Sequence, residues 1–211
     1  MLYYICLIIL FIPLRLLFPT KVVGIQNVPK KGKFIFCCNH QSNNDIIILG
    51  TRILRRRFRY IAKEELFKNK VVGAVLKCLG AYPVKRGEMD LKAIKQTLGY
   101  LKEEKAVCIF PEGSRMETSE NNDIKDGAIV FALRSKAPII PACIVRFPKP
   151  FRRNKLVIGE PIDFQNMEDF KDKKISQELI DLGRNILQEN MAKLYTENKY
   201  IEKQRKTKKD K

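Results

Sequence analysis

Short apolar runs alternate with segments of helical period along most of this chain, and few architectures accept that pattern. Residues 21–39 hold strand material, "KVVGIQNV" and "FIFCC", separated by a "PKKGK" turn. "IIILGTRILRRRF" then reads as a buried helix ending in a basic cluster, and "VVGAVLKCLGAYPV" as a helix running into a short strand. Within residues 90–104, Leu91, Ile94, Leu98 and Leu101 recur at helical intervals. "AVCIF" is a short buried strand, "DGAIVFALRSK" a helix, "APIIPACIVRF" a strand and "KLVIGEPIDF" another. The last helix, over residues 175–198, carries Ile175, Leu179, Leu182, Ile186, Met191 and Leu194 along one stripe. The pattern predicts a single α/β domain with a mixed, largely parallel sheet flanked by helices. A chain of 211 residues is long enough for one core and too short for two ordinary ones.

The two ends read differently. "MLYYICLIILFIPLRLLFPTK" carries no side-chain charge over residues 1–14. A helix of that length reaches about 21 Å, short of the roughly 30 Å hydrocarbon core. Neither a basic leader nor a small-residue cleavage site is present, so a signal peptide is disfavoured. Residues 1–20 are expected to form an apolar membrane-anchoring helix, buried in one leaflet or marginally spanning. Residues 21–198 form the main domain. Residues 199–211, "KYIEKQRKTKKDK", are expected to be a basic, disordered tail.

Charge narrows the partners. Forty-one Lys and Arg against 23 Asp and Glu give +18, which favours anionic surfaces, phosphate-bearing substrates or an acidic carrier protein. The arginines at 52, 55, 56, 57 and 59 leave open a basic module for nucleic acid. The aromatics are not interleaved with them, and the apolar N-terminus points to a membrane instead. Six cysteines lie mostly inside apolar runs with no CxxC pair, so they read as small buried hydrophobes rather than disulfides or metal ligands.

The chain has one histidine. His40 ends an apolar strand in "CCNHQSNNDIII", and Asp45 follows where a helix should start. A strand-end His and a helix-start Asp can fold back on each other. The carboxylate would hold one ring nitrogen and leave the other to take a proton from a hydroxyl. That is the orienting half of a Ser-His-Asp triad without the serine. The plain alternative is that Asn44 or Asp45 caps the helix and His40 is an incidental loop residue. A second candidate site is "IFPEGSRMETSE". Gly113 permits a sharp turn after a buried strand, Arg115 offers a planar fork for phosphate, and Ser114 adds a hydroxyl. Glu112 would bind a glycerol hydroxyl or fix Arg115. In "LGAYPVKRGEMD", Lys85 and Arg86 follow a strand and suit a phosphate clamp. Taken singly, each has an ordinary explanation as a surface turn.

Taken together, the segments resemble the 1-acylglycerol-3-phosphate acyltransferases, within the wider glycerolipid acyltransferase superfamily. The family's NHxSxxD block reads here Asn39-His40-Gln41-Ser42-Asn43-Asn44-Asp45. Its block ending in Arg reads Val84-Lys85-Arg86, its FPEGTR block runs from Phe110 to Arg115, and its Pro-hydrophobic-hydrophobic-Pro block is Pro138-Ile139-Ile140-Pro141. "AKEEL", from Ala62 to Leu66, resembles the segment between the first two blocks. The resemblance covers roughly residues 22–160. Ser114 stands where the family has Thr, Lys85 where it more often has an acidic or neutral residue, and Ala142-Cys143 where it has a Val pair.

The resemblance implies a base, His40, oriented by Asp45, with Arg86, Glu112, Gly113, Ser114 and Arg115 binding the acceptor's phosphate and glycerol. The expected reaction moves a fatty acyl group from a thioester to the sn-2 hydroxyl of 1-acylglycerol 3-phosphate, giving phosphatidate. No cofactor or metal is implied. Acyl-coenzyme A or acyl-acyl carrier protein would be the co-substrate. The expected partners are lysophosphatidate, an anionic membrane surface and an acyl carrier protein, with no nucleic acid. The enzyme would be membrane-associated with its site on the cytoplasmic face. Glycerol 3-phosphate or another lysophospholipid are the alternative acceptors.

Overall fold

The computed structural model describes residues 12–78, 80–84, 90–113 and 124–207; side chains are described in these ranges except at 71, 75, 78 and 200–207. Seven strands form one sheet: β1 (Thr20–Val23), β2 (Phe34–Cys38), β3 (Phe58–Lys63), β4 (Ala81–Val84), β5 (Ala106–Ile109), β6 (Ile139–Ile144) and β7 (Asn154–Ile158). Their order is β1-β7-β6-β2-β5-β3-β4. Every pairing is parallel except β6 with β7, which is antiparallel. The mixed, mostly parallel sheet is the one expected.

Helices cover both faces. Residues 12–17 are helical (α1), followed by α2 (Asn44–Arg52), α3 (Lys70–Cys78), α4 (Leu91–Lys102), α5 (Gly127–Ser135) and α6 (Gln177–Thr207). Strand alternation divides the core in two. Phe34, Phe36 and Cys38 of β2 face a cluster with Ile48 and Leu49 of α2, while Ile35 and Cys37 face Leu101 of α4, Ile129 of α5 and Leu187 of α6. All five residues of β2 are therefore buried, as a central parallel strand between two helical layers must be. Cys37, Cys38, Cys108 and Cys143 are free and buried, in agreement with their reading as core residues.

One expectation changes. Helix α6 continues to Thr207, so residues 199–207 are helical rather than a disordered tail. Lys, Glu, Gln and Arg are good helix formers, and they propagate a helix whose nucleus is already packed. Residues 208–211 lie outside the described residues. Among the described residues no helix is long and apolar enough to cross a membrane. Residues 1–11 of the expected 1–20 anchor lie outside the described residues, and the part seen is the short α1, in which Ile12 and Leu16 are exposed.

The basic cluster after α2 is largely engaged by the fold. Arg52 donates to the carbonyls of Arg15 and Phe18, capping the end of α1, and Arg55 donates to that of Ile25. Arg56 bonds the carbonyl of Glu104 and lies over the Phe34 ring. Arg59 lies over Tyr100. Guanidinium groups spent on carbonyls and ring faces are structural ties.

Candidate active site

The parallel register brings the first and third blocks side by side. Cys37 of β2 is level with Ile109 of β5. Residues that follow the two strands, His40 and Glu112, therefore leave the sheet at the same carboxyl edge, where open α/β sheets place their ligand crevices. Glu112 Oε2 accepts a hydrogen bond from the His40 backbone N–H at 3.1 Å. The Phe110 ring stacks on the His40 imidazole, with centroids 4.2 Å apart and planes at 22°.

Asp45 sits in the first turn of α2 and is fully buried. It does not cap that helix. Its Oδ2 turns back to accept from the Gln41 N–H at 2.7 Å, the Ser42 N–H at 2.8 Å and His40 Nδ1 at 2.9 Å. A carboxylate oxygen already holding two amide N–H groups remains an acceptor, so Nδ1 carries the ring proton. Nε2 then presents a lone pair, and it has no hydrogen bond among the described residues. His40 is 6% exposed and its ring offers only this nitrogen for chemistry.

A second clamp comes from β6. Asn39 Oδ1 accepts from the Ile144 N–H at 2.7 Å, and its Nδ2 donates to the Ile144 carbonyl at 3.0 Å. The side chain thus carries the β2–β6 ladder past the end of β2 to the last residue of β6 and fixes the residue before the base. The Ser42 hydroxyl accepts from the Asn44 N–H at 3.2 Å. Asn39, Ser42 and Phe110 belong to the quoted blocks, but the sequence carried no sign that Asn39 would grip a strand 105 residues away.

Gly113 takes φ 69°, the left-handed region expected of a sharp turn, and its N–H returns to the Phe110 carbonyl. A Cβ at this position would lie 2.8 Å from Cε of Lys125 and 2.9 Å from its Nζ. Lys125 therefore lies across the turn, anchored by its N–H on the Pro111 carbonyl. This cation beside the site was not anticipated. Arg86, Ser114 and Arg115 lie outside the described residues; β4 ends at Val84.

A buried imidazole held by a buried carboxylate, with one nitrogen open at the carboxyl edge of a sheet, is equipped to deprotonate a hydroxyl. The profile of the Acyltransferase family matches residues 19–145, which hold this whole arrangement. The chain belongs to the acyltransferase family. The acyltransferase is 40% identical over 149 residues to the 1-acyl-sn-glycerol-3-phosphate acyltransferase of Bacillus subtilis (strain 168), covering 68% of this chain and 73% of the relative. It is 31% identical over 170 residues to the protein of that name from Streptococcus pneumoniae, covering 79% and 62%. Its fold matches the crystal structure of the 1-acyl-sn-glycerophosphate (LPA) acyltransferase PlsC from Thermotoga maritima with TM-score 0.64 and 25% identity, over 83% of this chain and 71% of that one.

Proposed function

We propose that this acyltransferase moves a fatty acyl group from a thioester to the free sn-2 hydroxyl of 1-acylglycerol 3-phosphate, giving phosphatidate. His40 Nε2 takes the hydroxyl proton. The oxygen attacks the thioester carbonyl, an ester C–O bond forms as the C–S bond breaks, and the imidazolium returns its proton to the departing thiolate. Asp45 keeps the imidazole in the required tautomer and stabilises its charged form. The observation that carries this reading is the His40–Asp45 contact with Nε2 left open. The similarity to 1-acyl-sn-glycerol-3-phosphate acyltransferases supplies the acceptor.

No acyl-enzyme is required. Burial pushes the thiols of Cys37 and Cys38 far above their ordinary value, so neither supplies a thiolate nucleophile. Arg86, Ser114 and Arg115 are assigned to the acceptor's phosphate on the strength of their blocks, with Lys125 as an added cation beside the same turn. The donor is acyl-coenzyme A or an acyl-acyl carrier protein, and no cofactor or metal takes part. The enzyme works on an anionic membrane surface at the cytoplasmic face.

The test is one assay: purified protein, lysophosphatidate and each donor in turn, with the product identified. Phosphatidate is expected. Its absence with both donors, alongside acylation of glycerol 3-phosphate or of another lysophospholipid, moves the acceptor. In the same assay His40→Ala should lose at least about a thousandfold in kcat while keeping its circular dichroism spectrum.

A further inference from the structure

Phe151 is 79% exposed and has φ 59°. A bulky aromatic residue rarely enters the left-handed region, and the strain is kept only where the surroundings impose it. Here they impose it through the backbone. The Phe151 N–H donates to the Leu17 carbonyl at 2.6 Å, and the Arg152 N–H closes a turn on the Lys149 carbonyl at 3.2 Å. The ring gains no burial in return. Phe147, in the same β6–β7 connection, is 44% exposed. The bond to Leu17 joins this connection to the end of α1, a helix whose Ile12 and Leu16 are 57% and 70% exposed. Scattered exposed apolar residues are ordinary; four on two segments tied together form a patch that needs an occupant.

The charge along these two segments has one sign. Lys149, Arg152 and Arg153 are exposed within the connection, as are Arg15 and Lys21 beside α1. No Asp or Glu occurs in the sequence between Asp126 and Glu160. The patch also hangs on the catalytic turn. The connection leaves β6 directly after Ile144, the residue gripped by Asn39, and the Asn44 side-chain amide donates to the Pro148 carbonyl at 3.4 Å.

We propose that the 146–153 connection is a membrane-docking loop: Phe147 and Phe151 enter the interface of an anionic bilayer, Lys149, Arg152 and Arg153 rest on its headgroups, and α1 lies alongside. Aromatic side chains with adjacent cations are the composition that binds an anionic interface. The proposal rests on the lipid acyltransferase reading and adds to it the surface that meets the lipid. With the loop docked, a lipid acceptor would reach His40 without leaving the bilayer surface. An acidic carrier protein would satisfy the cations but leave two phenyl rings and the α1 side chains without a matching phase.

The chain contains no tryptophan, so Phe151→Trp gives a single fluorescent reporter. Mixed with phosphatidylcholine–phosphatidylglycerol vesicles, it should shift to the blue and be quenched by brominated acyl chains. The double variant Phe147→Ala, Phe151→Ala should fold normally and bind these vesicles about tenfold or more weakly. Its activity should fall on lysophosphatidate presented in vesicles and stay unchanged on a short-chain, monomeric lysophosphatidate. Any of four results overturns the proposal: a reporter that stays at its aqueous wavelength, unaltered vesicle binding by the double variant, an equal loss on the monomeric acceptor, or a loss confined to a carrier-protein donor. If the wild-type protein acylates neither acceptor, the acceptor assignment fails, while binding and fluorescence still decide the docking.

Discussion

Two segments at one edge of the sheet are built on opposite principles. In the catalytic turn, from Asn39 to Asp45, His40, Gln41 and Asp45 are buried and their polar groups are drawn together, with one carboxylate oxygen serving three donors. In the 146–153 connection, the apolar rings stand in solvent and the backbone is strained to hold one of them there. The difference separates two requirements. A base must be fixed before the substrate arrives, and buried hydrogen bonds do that because breaking any one leaves a dry polar group. A surface that meets lipid must keep its apolar area uncovered, and it accepts strain for that purpose.

The contrast breaks first at Asp45. Asp45→Asn keeps the volume but removes the charge that holds the His40 tautomer. Activity should fall about a thousandfold, and urea titration should show a stability loss of about 2 kcal/mol from the weakened amide contacts. Vesicle binding should not change. If it falls in step with activity, the two segments are one unit and the comparison collapses.

Asn39→Ala probes the link between them. It leaves the Ile144 N–H and carbonyl unpaired in a buried place, for about 3 kcal/mol. A melting temperature lower by roughly 10 °C is expected for a domain of this size. An unchanged melting temperature would show that the clamp on β6 contributes nothing to the fold.

The buried thiols sharpen the contrast by their silence. Desolvation raises the pKa of Cys37, Cys38, Cys108 and Cys143, so these four hold almost no thiolate in the folded protein. Iodoacetamide at pH 8 should modify them about a hundredfold more slowly than in urea. The sign of the pH effect follows. Their folded-state pKa is raised, so their contribution to stability is complete below the unfolded thiol value of about 8.5 and declines as pH climbs above it. Rapid labelling of these four in the native protein at pH 8, located by mass spectrometry, would mean that this core opens.

The smallest effect belongs to Phe151. Phe151→Gly relieves the left-handed strain, so the protein should be stabilised by up to about 1 kcal/mol while vesicle binding weakens. A destabilised variant would show that the ring packs in the fold after all.

Much of this was readable before any coordinates. Short apolar runs and period-3.6 patterns placed most elements because the central strands β2, β5 and β6 are buried on both faces and the helices carry apolar stripes; β3, with Arg59 and Lys63 among its six residues, was not read as a strand. His40 and Asp45 were legible because a strand end and a helix start lie five residues apart, so local geometry alone brings them together. What escaped depends on partners distant in sequence. The Asn39 grip on Ile144 and the Glu112 contact with the His40 N–H exist only once β2, β5 and β6 are adjacent. Phe151 escaped for another reason. An aromatic between Pro150 and Arg152 carries no sign of whether it will be covered. The expected tail failed because composition was read without the packed helix that precedes it.

Strand β1 is an edge strand paired with β7 alone, Thr20 level with Asn154. A chain leaving the ribosome therefore presents α1 and β1 long before the strand that receives them exists. Until then only the α2 side of the seat is there, Arg52 holding the Arg15 and Phe18 carbonyls, and the sheet edge closes over β1 as β7 is made.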